Sequence, residues 1–339
     1  MADAVLSRLV ADRLRAAGVG LQSILKQAGI TPSQLDNPDE RLPANSQIVF
    51  LKAAAGALDD GLLGFRLAQS SDVRKLGLLY YVFASSATLN EAIRRCVRYS
   101  RVANEAVALQ LIESRQPVIR LGYTGVARHT DVQQVEFIIA FLLRVCRHTT
   151  GRHLVPERVS MMHVRSTIPA EISSFFGVRV EFGSEFDEIV LPVGAGDLPL
   201  VNADPYLNKI IVRDCEAWLA ERRTNVGPLR IKVENAIAPL LPHASARASV
   251  IAKELGMSER TLERKLAQEG TSFMEISQQL KSEMAVRYVE DPAVPISRVA
   301  WLLGFEEVSS FSHAFKRWTG KSPRQMRNAD ATHAAALPS

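Results

Sequence analysis

The pattern of apolar and polar residues changes its period about a hundred residues into the chain. Before that point, apolar residues recur at the three- and four-residue intervals of amphipathic helices. Residues 4–36 predict short helices separated by glycines. Longer segments with helical spacing are 46–58, 76–84 and 89–103. Thr88, followed three residues later by Glu91, resembles a capping box at the start of the last segment. The first hundred residues are therefore predicted to be mostly helical.

Shorter runs rich in β-branched residues follow. Residues 107–112 and 118–123 are apolar, and the polar stretch Glu-Ser-Arg-Gln-Pro between them predicts a hairpin. Further strands are predicted at 159–164, 178–182 and 188–191, and helices at 131–148, 169–176 and 203–222. Strands mixed with helices and joined by short turns favour an α+β domain with a mainly antiparallel sheet.

The last third of the chain predicts helices only. Residues 229–327 contain no strand candidate, and the polar segment before them ends in Gly227 and Pro228, a pair that is typical of a hinge. We therefore divide the chain into an α+β domain, a linker, an all-α domain and an Ala-rich tail. Their predicted bounds are 1–222, 223–228, 229–328 and 329–339.

The all-α segment contains a helix-turn-helix pattern between residues 249 and 268. Gly256 supplies the turn, because a positive φ costs glycine least. Ser258 is a good N-cap for the second helix, and Glu259 suits the positive end of the helix dipole. The residues predicted to face inward are Ile251, Ala252, Leu255, Leu262 and Leu266.

A second copy of this pattern lies between residues 296 and 318. Its turn glycine, Gly304, corresponds to Gly256 of the first copy. The residues predicted to face inward are Ile296, Val299, Ala300, Leu303, Phe311, Phe315 and Trp318. Between the copies, residues 273–290 predict one helix, which at 1.5 Å per residue spans roughly 27 Å. That length approaches the ~34 Å between successive major grooves of DNA.

The outward faces of the two second helices are polar and partly basic. The candidate DNA contacts are Arg260, Thr261, Arg264, Lys265 and Gln268 in the first copy and Ser309, Ser310, His313, Lys316 and Arg317 in the second. Arg and Lys bind guanine edges or phosphates, and Gln can pair with adenine. A solvated helix face is the alternative for any one of these residues. The turn, the N-cap and the second copy favour contact with double-stranded DNA.

The charge distribution agrees with an anionic partner for this segment. The chain carries a net charge of +5, with 41 Lys and Arg against 36 Asp and Glu. Residues 229–328 contain 15 Lys or Arg and 11 Asp or Glu, so most of the excess lies there.

Two sequence runs in the C-terminal segment match a known pattern. They are Ile-Ser-Arg-Val-Ala-x-x-x-Gly-Phe from Ile296 and Ser-x-Phe-Ser-x-x-Phe-Lys-Arg-x-x-Gly-x-Ser-Pro ending at Pro323. With them, residues 229–328 resemble the DNA-binding domain of the AraC/XylS family of bacterial regulators. The chain departs from that family at His313, where Arg is commoner, and at Met326, where an aromatic residue is usual. The histidine implies that the second copy positions the protein more than it reads bases.

A third run lies in the N-terminal segment. Leu76-Gly-Leu-Leu-Tyr-Tyr-x-x-x-Ser-Ser-Ala-Thr-Leu-Asn-Glu-Ala, followed by Tyr99, resembles the effector-binding half of one AraC-type subgroup, the arabinose-binding-domain type. Members of that subgroup are expected to answer to varied small molecules. The resemblance therefore implies a small-molecule effector, contact with RNA polymerase and a possible homodimer as further partners.

Other features restrict the compartment of the protein. Cys96, Cys146 and Cys215 are far apart and form no C-x-x-C pair, which favours buried thiols in a reducing compartment and no zinc site. The N-terminus lacks the pattern of a signal peptide, and no apolar run reaches 18 residues. We expect a cytoplasmic protein with no membrane partner.

Signals for metal, cofactor or enzyme chemistry are missing. The histidine spacings of His129, His148, His153 and His163 fit no common metal-ligand set. The chain contains no G-x-S-x-G, P-loop, H-E-x-x-H or dinucleotide-binding motif, so neither an enzyme nor a cofactor is predicted. No effector pocket is assigned. Tyr80, Tyr81, Tyr99 and Tyr123 could line one, but buried tyrosines are as common, and the apolar helix 135–145 favours core over pocket wall.

Three functional hypotheses follow from these observations. The first is a sequence-specific DNA-binding transcriptional regulator controlled by a small molecule bound to residues 1–222. The alternative is a ligand-independent DNA-binding regulator whose N-terminal domain serves dimerisation or protein interaction. A catalytic N-terminal domain fused to a DNA anchor is the third, and the missing catalytic motifs disfavour it.

Overall fold

The computed structural model of the protein describes residues 1–37, 40–112, 116–165, 167–221, 229–243, 245–291 and 294–327. The chain divides into two compact units. The first unit contains Met1–Ser160, Ala170–Glu181 and Phe186–Val226, and the second contains Met161–Pro169, Phe182–Glu185 and Gly227–Ser339. The predicted linker 223–228 and tail 329–339 lie outside the described residues.

The described part of the first 221 residues contains both helices and short strands. The helices are α1 (Val5–Ala16), α2 (Leu21–Ala28), α3 (Pro32–Asp36), α4 (Ala44–Ala57), α5 (Leu63–Ser70), α6 (Leu78–Ala84), α7 (Leu89–Ala103), α8 (Gln133–Thr150), α9 (Ala170–Phe176) and α10 (Pro205–Glu221). The strands are β1 (Ala2–Asp3), β2 (Arg41–Leu42), β3 (Val107–Ile112), β4 (Val118–Tyr123), β5 (Arg158–Met161), β6 (Val180–Phe182) and β7 (Asp187–Val190). The predicted α+β class is confirmed.

Five of the strands form one sheet in the order β3-β4-β7-β5-β6, and β1 pairs with β2 separately. The pairs β3/β4, β4/β7 and β5/β7 are antiparallel, as predicted. Ile189 of β7 is aligned with Ile119 of β4 on one side and with Val159 of β5 on the other, and all three residues are buried. Next to this row Arg120 aligns with Glu188, and their side chains pair at 2.8 Å. Because side chains alternate along a strand, the sheet has an apolar row on one face and a charged row on the other.

A buried ion pair fixes the start of α8 to the sheet. The Arg128 guanidinium donates to both carboxylate oxygens of Asp187 on β7, with Nη2 2.6 Å from Oδ1. The side chains are 4% and 0% exposed. Arg128 Nη1 also donates to the backbone carbonyl of Asp131. A buried pair of this kind needs two-point pairing to offset its loss of hydration.

The sequence pattern did not predict α5, which packs against α8. Gly64 permits the close approach of these helices. Its N–H donates a 2.8 Å hydrogen bond to Gln133 Oε1, and a β-carbon at this position would overlap the Gln133 carbonyl oxygen. Phe65 is buried next to Phe176, with ring centroids 6.1 Å apart. Packing at Gly64 and Phe65 therefore stabilises this helix in its position.

The second unit is helical throughout its described residues after position 228, as predicted. Its helices are α11 (Leu229–Ile237), α12 (Ala248–Glu254), α13 (Glu259–Gln268), α14 (Phe273–Glu290), α15 (Ile296–Leu302) and α16 (Val308–Thr319), and residues 323–327 are also helical. One apolar cluster joins all six named helices. Its members include Val233, Ile251, Leu262, Leu280, Val299 and Phe311, each buried.

Two local predictions differ from the structure. The predicted helix 76–84 is split, because Gly77 has a φ of 62° and separates a 3₁₀ turn, Val73–Leu76, from α6. The Thr88 side chain caps α7 as predicted, but the Glu91 carboxylate accepts from the N–H of Ala87 rather than from Thr88. The predicted capping box is therefore only half formed. Among the described residues, no helix is both long and apolar enough to cross a membrane.

Candidate nucleic-acid interface and interior cavity

The first helix-turn-helix is built from α12 and α13. Ala252 is buried on α12, and the turn closes with a 2.9 Å hydrogen bond from the Met257 N–H to the Ala252 carbonyl. Gly256 in this turn has a φ of 68°. Ser258 then caps α13, and its hydroxyl oxygen accepts from the Thr261 N–H at 3.2 Å. Turn and cap together set the direction of α13.

The two faces of α13 differ as the sequence predicts. Leu262 and Leu266 are fully buried. The exposed candidate contacts are Arg260, Arg264, Lys265 and Gln268. Thr261 is half-buried, and its hydroxyl lies 2.8 Å from that of Ser258. Within the described part of the chain, no carboxylate lies within ion-pair distance of the three cations. Their positive charge is therefore available to an anionic ligand.

The second helix-turn-helix, α15 and α16, repeats the geometry of the first turn. Gly304 has a φ of 74°, and the Phe305 N–H donates a 3.0 Å hydrogen bond to the Ala300 carbonyl. Phe311 and Phe315 of α16 are fully buried, and Trp318 packs partly buried against the same cluster. The predicted aromatic core of this copy is thus confirmed.

The outward face of α16 is less basic than that of α13. Its exposed candidate contacts are Ser309, Ser310, His313, Lys316 and Arg317. Glu306 and Glu307 are exposed just before the helix, and Glu307 accepts a hydrogen bond from the Ser309 hydroxyl. Carboxylates at the positive end of a helix oppose its attraction for phosphate. Glu259 lies at the same end of α13, but the outward face of α13 carries three exposed cations against two on α16.

α14 connects the two copies through the shared core. Its start is fixed by a capping box, in which Ser272 and Glu275 accept each other's backbone N–H groups. At the other end of α14, Arg327 donates hydrogen bonds to the carbonyls of Val289 at 3.0 Å and Asp291 at 3.2 Å. The sequence reasoning did not single out Arg327. The arginine satisfies carbonyls that a helix end leaves without partners.

The first unit contains an interior cavity that is partly open to solvent. The space open to the centre of a water molecule is about 120 Å³, roughly tenfold the ~10–15 Å³ that one water needs. Residues of β1, α1, α4, the Val73–Leu76 turn, α6, α7, β3 and α8 line it, and most of them are apolar. The four tyrosines considered from the sequence are not among them. Phe137, Phe141 and Val145 show that α8 is pocket wall as well as core.

Comparison with known protein families gives two matches. Residues 18–200 match the family described as the arabinose-binding domain of AraC transcription regulator, N-terminal. Residues 251–329 match a helix-turn-helix domain family. The chain belongs to the AraC family of transcription regulators. It is a DNA-binding regulator whose N-terminal half is of the arabinose-binding type.

Relatives of this AraC-family chain match over most of its length. The ornithine utilization regulator of Pseudomonas aeruginosa is 28% identical over 94% of both chains. The transcriptional regulator VirS of Mycobacterium tuberculosis is 27% identical over 93% of both chains. The crystal structure of the transcriptional regulator CdpR from Pseudomonas aeruginosa covers 91% of this chain and 96% of that one, with 20% identity and a TM-score of 0.41.

The three cysteines of this AraC-family chain are free and buried, as predicted. Burial raises the pKa of the Cys96 thiol to about 12 and that of Cys215 to about 11. These thiols are therefore protonated and shielded from reagents in the folded protein.

Proposed function

We propose that α13 enters the major groove of DNA and reads base edges through Arg260, Arg264, Lys265 and Gln268, with Thr261 at the margin of this face. The observation that carries the proposal is the unpaired, exposed set of cations backed by fully buried Leu262 and Leu266. A helix with an apolar inner seam and a basic outer face is the shape that direct readout requires.

In the same proposal, α16 contacts the backbone of the duplex through Lys316 and Arg317. Ser309, Ser310 and His313 add uncharged or weaker contacts beside these cations. All five side chains are exposed. The nearby glutamates weaken the positive potential at this helix, which favours a positioning role over base readout. Phosphate contacts fix the register of a protein on DNA, and base contacts determine which sequence it prefers.

We further propose that residues 1–222 form an effector module joined by the linker 223–228 to a DNA-binding domain at 229–328, with 329–339 as a tail. The interior cavity supports a small-molecule effector. An effector changes DNA binding only if it binds two arrangements of the protein with different affinity. The family relationship also supports a homodimer and a contact with RNA polymerase, which sedimentation and pull-down with polymerase holoenzyme would test.

A DNA-binding titration tests the readout part of this proposal. Arg264→Ala should weaken binding to a preferred site by roughly 1–3 kcal/mol and relax base preference at one position. Arg13→Ala, which removes an exposed charge in the first unit, is the matched control and should change neither quantity. Equal loss in both variants, or in neither, would contradict readout by α13.

The effector part has its own test. Affinity of the full-length protein for that site is measured with and without a small-molecule extract of the host cells. A change in affinity supports effector control. Unchanged affinity across extracts, together with a melting temperature that ignores them, favours the ligand-independent alternative.

A further inference from the structure

The wall of the cavity in the first unit is mainly apolar. Representative side chains are Leu6, Leu79, Phe83, Val107, Phe137 and Phe141. The rings of Phe137 and Phe141 stack with their centroids 5.0 Å apart and their planes 18° from parallel. Such a surface binds a ligand chiefly by removing apolar area of both partners from water.

A cluster of three side-chain amides forms one polar region of the wall. Gln47, Asn104 and Gln134 all line the cavity, and all three are buried. The Gln134 carbonyl oxygen accepts from Gln47 Nε2 at 2.6 Å and from Asn104 Nδ2 at 3.3 Å. Both lone pairs of that oxygen are therefore used within the protein.

Neighbouring groups fix the orientation of these amides. Gln134 Nε2 donates to the Asp131 carboxylate at 3.1 Å, so its carbonyl must face the other two amides. Asn104 Oδ1 accepts from the Ala106 N–H at 3.0 Å, and Gln47 Oε1 accepts from the Ser7 hydroxyl at 3.2 Å. Gln47 and Asn104 are thereby held as donors toward Gln134. Each amide nitrogen carries two hydrogens and uses one of them, so each retains one N–H for a ligand.

Charged groups at the cavity do not offer a strong counter-ion. The Asp3 carboxyl is engaged by the protein backbone, since its Oδ1 accepts a 3.2 Å hydrogen bond from the Val5 N–H. Asp72 is exposed and engaged by Arg74, whose hydrogen bonds lower the pKa of that carboxyl to about 2. Among the described lining residues, Lys75 is the sole cation, and it too is exposed. The buried part of the cavity thus suits an uncharged hydrogen-bond acceptor.

We propose that this cavity binds an uncharged, predominantly apolar small molecule whose carbonyl oxygen accepts hydrogen bonds from Gln47 and Asn104. The proposal rests on effector control by the N-terminal unit and specifies the chemical class of the effector. It sets the site apart from arabinose, the sugar in the family description, and from ornithine, after which one relative is named. A sugar would bury several hydroxyls, and an amino acid its charges, along a wall that is mainly apolar and offers too few polar partners for them.

The test uses the full-length protein and the dye Prodan, an uncharged naphthyl ketone whose emission moves to shorter wavelength in apolar surroundings. We expect saturable binding with a blue shift, while L-arabinose and L-ornithine neither displace the dye nor raise the melting temperature. Leu79→Trp, which fills the cavity, should weaken dye binding about tenfold. Leu78→Trp is the matched control, since Leu78 is exposed beside buried Leu79, and should leave binding unchanged.

A second variant tests the hydrogen bonds, and its result does not depend on whether the Leu79→Trp variant folds. Gln47→Met keeps the length of the side chain and removes its N–H groups. The bound dye should then emit at shorter wavelength than in the wild type, because a hydrogen-bonded carbonyl emits further to the red. Gln22→Met, an exposed change on α2, should leave the emission maximum unchanged.

The outcomes separate this inference from the proposed function. Absence of a saturable Prodan shift in the wild-type protein, or equal weakening by Leu79→Trp and Leu78→Trp, overturns the assigned site. Stabilisation by arabinose or ornithine overturns the assigned chemical class and leaves effector control intact. An extract that alters DNA affinity while Prodan fails to bind overturns the assigned site and leaves effector control intact.

Discussion

The hydroxyl of Ser309 donates a 2.9 Å hydrogen bond to the carboxylate of Glu307. Both residues are exposed, and they lie where α16 begins. In the first copy, α13 also starts with a glutamate, Glu259. The outer face of α13 carries three exposed cations, whereas that of α16 carries two. The two helix-turn-helix copies share a turn geometry and differ in charge, so we expect them to contribute unequally to DNA binding.

Removing the carboxylate of Glu307 should strengthen binding to DNA of random sequence. Glu307→Gln takes away a charge that repels phosphate, for an expected gain of roughly 1 kcal/mol at low salt. Fluorescence anisotropy with a labelled duplex measures the change, and Asp36→Asn in the first unit controls for net charge. Weaker binding to one preferred site only would instead mean that Glu307 accepts a hydrogen bond from cytosine.

Replacing His313 should add a phosphate contact. In the His313→Arg variant, one further neutralised phosphate makes the negative slope of log affinity against log salt steeper by about 0.9, which is roughly eightfold tighter binding at 0.1 M salt. His153→Arg makes the same change at an exposed site in the first unit and should leave the slope unaltered. If both variants steepen the slope equally, His313 lies away from the duplex.

The sequence predicted the C-terminal unit better than the N-terminal one because its signals are local. Gly256, Ser258 and Gly304 each act on the few residues beside them, and the structure shows the expected turns and cap. The sequence also led us to expect, from His313, that the second copy positions the protein more than it reads bases. The role of Arg327 was not predicted, because its partners are backbone carbonyls at the far end of α14.

Gly64 should tolerate no side chain. Gly64→Ala forces α5 away from α8, since its methyl group would overlap the Gln133 carbonyl oxygen, and we expect a loss of roughly 3 kcal/mol or more in the free energy of unfolding. Gly56→Ala is the matched control within α4, where a β-carbon meets no atom within 4 Å. It should stabilise the protein by about 0.5–1 kcal/mol. Urea unfolding followed by circular dichroism measures both.

The buried pair of Arg128 and Asp187 should matter far more than an exposed one. Arg128→Met leaves a buried carboxylate without its partner and should cost about 3–5 kcal/mol of stability. Arg15→Met breaks an exposed pair with Asp12 and should cost about 0–1 kcal/mol. The loss of stability in each of the two variants is measured by thermal unfolding. Similar losses would contradict the description of this pair as an anchor between the sheet and α8.

Sequence reasoning could not find the cavity because its key groups are far apart in the chain. Gln47, Asn104 and Gln134 lie on different elements, and only the fold brings their amides together. Residues 135–145 of α8 are mostly apolar, so their pattern does not distinguish residues that face the core from those that line the cavity. α5 was missed for a related reason, since it depends on contact at Gly64.

Sequence-specific contact between α13 and DNA underlies the proposed function. The most direct measurement is selection of bound duplexes from a random pool by the wild-type protein and by a variant carrying Arg260→Ala and Arg264→Ala. We predict one enriched motif for the wild type and loss of its most constrained bases for the variant. The same motif recovered with both proteins, or no enrichment with the wild type, would contradict the account.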